Sequence, residues 1–260
     1  MDAARLAKRG ISIASILVVW FVVSAVGPET LPGPIAVATT FAEYVVDPVY
    51  WSAVGLSTAR VLGTFVLAVL IGVPLGLLIG WNVVFGDFTY PALELIRPIP
   101  PIAWIPFGIL VLPTLAFSLG FANFEVQTTV VFITFLGAFF PILLNGIEGV
   151  RGIDDEYSRA AHSLGAADWQ TFRHVIYPGA LPSVHTGMVV GMGLAWVNLV
   201  AAEMISGGGL GFMTWSAYTG GSYPVIFVGM ITIGVLGYLS STIVRYVGAS
   251  QLPWMESAAA

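Results

Sequence analysis

Residues 54–81 read VGLSTARVLGTFVLAVLIGVPLGLLIGW, with Arg60 as their one charge. A hydrocarbon layer about 30 Å thick is crossed by roughly 20 apolar residues in a helix, so this stretch can span a bilayer. The composition agrees: 57% of the 260 residues are hydrophobic and 9% charged, against roughly 45–50% and about 25% in soluble domains. Mean hydropathy is +0.92. Nine Lys+Arg and fourteen Asp+Glu cannot cover a soluble globule of this size, which excludes a water-soluble enzyme. A net charge of −5 excludes a nucleic-acid partner, which would need a basic footprint to neutralise phosphates. With no Cys, disulfides and thiolate chemistry are excluded. The same ruler marks further spans near 11–27, 99–116, 128–144, 184–205 and 225–247. The expected fold is all-α, a polytopic membrane protein with about six transmembrane helices in a single transmembrane domain over residues 1–260.

Orientation follows from the basic residues, which collect on cytoplasmic flanks. With the N-terminus inside, Arg5, Lys8, Arg9, Arg97, Arg151, Arg159, Arg173 and Arg245 fall on the inner side and Arg60 near the outer one. Residues 28–52 contain Glu29, Glu43 and Asp47 but no Lys or Arg, as an external loop should. Both termini are expected in the cytoplasm of a multi-pass protein of the cell membrane. Residues 1–27 also carry the basic start, apolar run and Val23-Ser24-Ala25 of a cleavable leader.

The longest polar insertion, about 150–182, contains GIDDEYSRAAHSLGAADWQTFRHVIYPGALPSVHTG from Gly152. Asp154 can cap a first helix through Ala160 and Ala161, with Gly165 as the left-handed residue that ends it. Asp168 can cap a second helix from Trp169 to about Ile176, which Pro178 is expected to stop. Ala160 and Ala161 allow another surface to approach closely. Trp169 and Phe172 form an aromatic edge at i and i+3.

These residues resemble the cytoplasmic loop of the permease subunits of binding-protein-dependent ABC importers. That loop reads Glu-Ala-Ala, three residues, Gly, nine residues, Ile, one residue, Leu-Pro. Ala160, Ala161, Gly165, Val175 and Pro178 match it, while Arg159, Val175 and Tyr177 stand where the pattern has Glu, Ile and Leu. The resemblance extends through LSTARVLGTFVLAVLIGVPLGLLIG after Gly55, RPIPPIAWIP from Arg97 and AEMISGGGLGFM from Ala202. Its nearest branch handles sulfonates, taurine, nitrate and bicarbonate. The resemblance implies a type I importer-like permease fold with a coupling helix that docks on an ABC ATPase subunit. It also implies an extracellular or periplasmic solute-binding protein and a second copy of the chain as partners, in the lipid bilayer. The coupling residues are then expected to be Asp154, Arg159, Ala160, Ala161, His162, Gly165, Asp168, Trp169 and Phe172. A phosphate-binding loop needs Gly-Lys-Ser/Thr, and the lone lysine, Lys8, follows Ala7. ATP hydrolysis is therefore expected in a separate subunit, and this chain is expected not to be an enzyme.

Gly72, Gly76 and Gly80 recur every four residues and bare one helix face for close packing. Pro98, Pro100 and Pro101 remove three amide donors within four residues, so regular helix is not expected before about Ile102. That break lies either at the inner mouth of a pathway or at an interfacial helix start with Glu94 and Arg97 paired. Arg97, Pro100, Pro101, Trp196, Asn198 and Glu203 are the candidate pathway residues. Glu203, near the outer end, is expected to reach headgroup water or to line the outer gate. Residues 206–211, SGGGLG, follow a helix rather than a strand and are read as a flexible turn. His162, His174 and His185 are spaced unlike a helical zinc site, so no metal and no cofactor are expected. The alternative function is a secondary transporter driven by an ion gradient, which would need paired buried acids or interrupted helices at the midplane.

Overall fold

The computed structural model describes residues 3–28, 30–112, 115–119 and 122–250. Helices α1 (Ala3–Val26), α2 (Pro34–Tyr44), α3 (Pro48–Trp81), α4 (Val83–Ile96) and, after a 3-10 turn at Pro101–Trp104, α5 (Ile105–Val111) make the first half. A hairpin of β1 (Leu115–Leu119) and β2 (Ala122–Val126) leads into α6 (Thr128–Arg151). There follow α7 (Asp155–Ser163), α8 (Asp168–Thr171), a π-helical turn at Phe172–Ile176, α9 (Tyr177–Glu203), α10 (Leu210–Thr219) and α11 (Tyr223–Ser250). The all-α class holds, with the small hairpin as the β element among the described residues. Among the described residues, four helical stretches are long and apolar enough to cross a membrane: Pro48–Trp81, Thr128–Arg151, Asp168–Glu203 and Tyr223–Gly248. Ala14–Val26 is a shorter apolar helix.

The expected span at 99–116 is corrected. The α4 helix and the segment Pro101–Val111 form a pair bent by 86°, a broken span or a re-entrant loop rather than a straight helix. The three prolines withhold donors at the bend, so α-helix resumes only at Ile105. Hydropathy alone had not marked α4. Asn82 ends α3 in extended backbone and caps α4 by accepting from Phe85 N at 2.9 Å. One side chain thus turns a continuous apolar run into two helices. The α3 helix itself starts on Asp47, which accepts from Val49 N at 2.8 Å with Pro48 in the first turn.

Helix α6 is the centre of the bundle, packed between α3 and α9. Lipid tails are as apolar as leucine, so helices associate in a bilayer through close van der Waals contact rather than hydrophobic burial. The glycine face expected on α3 meets α6. A Cβ built on Gly76 would lie 2.6 Å from Leu143 O and 3.2 Å from Gly146 Cα, and one on Gly80 would lie 2.7 Å from Val150 Cβ. On the other side, a Cβ on Gly187 of α9 would lie 2.8 Å from Pro141 O, and one on Gly191 the same distance from Ala138 O. Ile133, Ala138, Ile142 and Leu143 are fully buried between these neighbours. Polar contacts that tie α11 to this core include Tyr50 OH to Thr232 Oγ1 at 2.8 Å, Trp196 Nε1 donating to Ser240 Oγ at 2.9 Å, and His185 Nε2 to Val244 O at 3.2 Å. The α1 helix is exposed along much of its length and meets the bundle at Trp20, which stacks on Phe227 with ring centroids 5.6 Å apart.

Gly76→Val should lower the thermal unfolding midpoint of the purified protein, by an amount corresponding to about 1–3 kcal/mol of overpacking. Gly63→Ala, on an open face of the same helix with nothing within 4 Å of its Cβ site, should leave the midpoint unchanged.

Candidate functional site

The polar insertion folds as a capped hairpin on the short connection between α6 and α9. Asp154 Oδ1 accepts from Glu156 N at 2.9 Å and opens α7, whose first turn is acidic with Asp155 and Glu156. Gly165 takes φ +84°. Its N–H bonds His162 O at 2.9 Å and that of Ala166 bonds Ala161 O at 3.1 Å, so carbonyls at the end of α7 are satisfied. Arg159, Ala160, His162 and Asp168 are exposed and Ala161 is half-buried. His162 Nε2 lies 3.7 Å from Asp168 Oδ1 across the glycine turn.

Two expectations about the second helix are corrected. Asp168 is its first residue rather than its cap, because Ala167 holds the extended cap backbone and donates its N–H to Gln170 Oε1 at 2.9 Å. Nor does Pro178 stop it. Asp168–Glu203 is one helical stretch of 36 residues, with the π turn at Phe172–Ile176 immediately before the proline. There Tyr177 N bonds Phe172 O, five residues back. The wider turn shifts the carbonyls that a proline ring would strike in regular α-helix. Trp169 is 65% exposed and stacks on Phe172 at 5.6 Å, and Phe172 packs on Trp81 at the end of α3 at 5.7 Å. The expected aromatic edge therefore joins the hairpin to α3. Sequence reading missed Tyr157 and Leu164, which are 65% and 89% exposed on the hairpin. Large apolar side chains on a polar insertion were the available signal.

The candidate pathway residues separate. Arg97, Pro101 and Asn198 line one open cleft of about 550 Å³ with Asn145 and Glu148 of α6. Each asparagine amide donates to the carbonyl four residues back, Asn145 to Pro141 and Asn198 to Leu194, both at 2.8 Å. Gly137 of α6 faces Asn198, and Gly187 of α9 faces Asn145, so each helix makes room for the polar residue of the other. Asn145 escaped sequence reading, although an amide in an apolar span was visible. Arg97 and Glu94 form no ion pair among the described residues. Pro100 caps the 3-10 turn and Trp196 is buried in the core, 3% exposed. Neither joins the cleft.

Glu203 does not reach headgroup water: it is 0% exposed, and its Oε1 lies 2.7 Å from Arg60 Nη1. Nor is residue stretch 206–211 a loose turn. Arg60 donates to Gly208 O at 3.1 Å, Ser206 Oγ donates to the same carbonyl at 2.9 Å, and Gln127 donates to Ser206 O. The signal that was passed over is a lone Arg and a lone Glu near the same ends of two spans. His162, His174 and His185 each bond a backbone carbonyl, of Ala166, Gln170 and Val244.

Comparison with known proteins follows this geometry. Residues 72–255 match the family described as binding-protein-dependent transport system inner membrane component. A putative ABC transporter permease protein of Methanocaldococcus jannaschii is 37% identical over 203 residues, 77% of this chain and 72% of that protein. The taurine transport system permease protein of Escherichia coli is 31% identical over 252 residues, covering 94% and 88% of the two chains. A nitrate import permease protein of Synechocystis is 28% identical over 256 residues, covering 95% and 89%. The chain belongs to the binding-protein-dependent transport inner-membrane family. It is thus an ABC transporter permease, a transport component of the inner membrane rather than an enzyme.

Asp154→Ala should cost the hairpin about 1 kcal/mol. Hydrogen exchange at the first α7 amides should speed up several-fold while the α6 core keeps its rate.

Proposed function

We propose that the chain forms the solute pathway of an ATP-driven importer and that residues 154–176 couple it to a separate ATPase subunit. The observation that carries this reading is mechanical. The hairpin runs without a break into α9, and α9 presses backbone to backbone on α6, so a push on the hairpin moves the centre of the bundle. Closely packed interiors transmit such displacements instead of absorbing them. Arg159, Ala160, Ala161, His162 and Gly165 form the contact surface, with Asp154 and Asp168 shaping it and Trp169 and Phe172 anchoring it on Trp81. The hairpin and both termini face the cytoplasm.

One hairpin per chain fits a homodimer that meets two ATPases, with the cleft faces of α6 and α9 turned towards each other. Alternating access then opens the cleft to solute delivered by a binding protein outside the cell. The solute is a small anion or organosulfonate. Relatives named for nitrate and taurine support this. Arg97 and Glu148 place one charge of each sign on the cleft, and the amides of Asn145 and Asn198 can hydrogen-bond without adding charge. The ion-gradient reading would want paired buried acids or interrupted helices at the midplane. The deeply buried acid here, Glu203, has an arginine as its partner.

The test is co-purification of the ATPase subunit with this chain, and uptake in a Gly165→Val variant. Because Gly165 sits at φ +84°, a β-branched residue strains the turn by about 1–2 kcal/mol. Uptake should be lost while the ATPase still hydrolyses ATP. Unchanged uptake would refute the role of the hairpin. Asn145→Leu should lower uptake while leaving ATPase co-purification intact.

A further inference from the structure

The end of the bundle opposite the hairpin buries a charged cluster that neither coupling nor the cleft uses. Glu203 is the last residue of α9 and is 0% exposed, and the Arg60 side chain is 10% exposed. The carboxylate accepts from Arg60 Nη1 at 2.7 Å, from Ser57 Oγ at 2.7 and 2.9 Å, and from Gly211 N at 3.0 Å. Ser57 Oγ in turn accepts from Leu210 N at 2.8 Å. Two of the free amides that begin α10 are thereby satisfied, and the negative charge lies at the positive end of that helix. Arg60 continues outward to Gly208 O and, through Nη2, to Gln127 Oε1 at 3.4 Å. One ion pair therefore joins α3, the start of α6, the end of α9, the loop 204–209 and the start of α10.

Burying such a pair is a poor way to gain stability, since well-packed apolar side chains of similar volume often do as well or better. What charge adds is direction, because each bond fixes one donor against one acceptor. At Gly209, φ is +97° and a Cβ would lie 2.2 Å from Glu203 Oε1, so the loop backbone is laid directly over the carboxylate.

We propose that Glu203 and Arg60 are positioning residues for the outer end of the pathway. Their charges hold residues 204–209 and the first turn of α10 against α3 and α6. The proposal rests on the importer reading only in calling this end outer and part of the pathway.

The test is hydrogen exchange by mass spectrometry on the assembled transporter, comparing residues 204–213 with residues 133–147 of α6, together with uptake. Glu203→Gln and Arg60→Met should each speed exchange at 204–213 by about tenfold or more, as expected on losing a charged hydrogen bond. The α6 reference should keep its rate, and uptake should fall. Arg60→Lys should recover part of both. If a single variant fails to accumulate, the double variant Arg60→Met/Glu203→Gln carries the test, because it leaves no unpaired buried charge. Its loop should still exchange fast. Parental exchange in the double variant, equal acceleration of loop and reference, or full uptake would overturn the proposal. Absence of an ATPase partner would sink the importer reading and leave the exchange result standing.

Discussion

The close approach of α3 and α9 to α6 is the constraint on which the other features rest. In a bilayer no apolar face is hidden from water by pairing with another, so a bundle coheres only where backbones come near enough for dense contact. Glycines supply that nearness at Gly76 and Gly146 on one side and at Gly187 and Gly191 on the other. The same small residues leave room for Asn145 and Asn198, each set opposite a glycine of the neighbouring helix. Polar groups can then occupy membrane depth beside the tightest seam in the molecule.

The α9 side of this seam is braced at both ends. The π turn before Pro178 keeps α8 and α9 in one helical stretch instead of a jointed pair, and the ring contacts Trp169–Phe172, stacked, and Phe172–Trp81, tilted, brace its foot against α3. At the far end of the same stretch, Glu203 is held by Arg60 and Ser57. The α9 helix thus has an exposed, capped hairpin at one end and a buried ionic anchor at the other.

Much of this was open to sequence reading where the signal is local. Asp154 and Gly165 behave as their types and spacing require, because a cap or a left-handed turn is decided within a few residues. The proline run placed a break where α4 and α5 meet. Reading failed where local rules compete with neighbours. Pro178 breaks an isolated helix, yet here a π turn absorbs it. Asn82 divides an apolar run through one hydrogen bond that hydropathy does not register.

The amino-acid order alone determined that this is a helical membrane protein, about where its spans run, and that a capped hairpin with the pattern of an ABC permease interrupts them. Such properties depend on length, composition and contacts between near neighbours. Tertiary structure alone decided that Arg60 finds Glu203 across 143 positions of chain, that Trp196 faces the core while Asn198 faces a cleft, and that the chain bends by 86° between α4 and α5. Span hydropathy is nearly the same on every face of a lipid-bathed helix. Which face meets which neighbour is therefore settled only by the fit of particular side chains once the helices lie together.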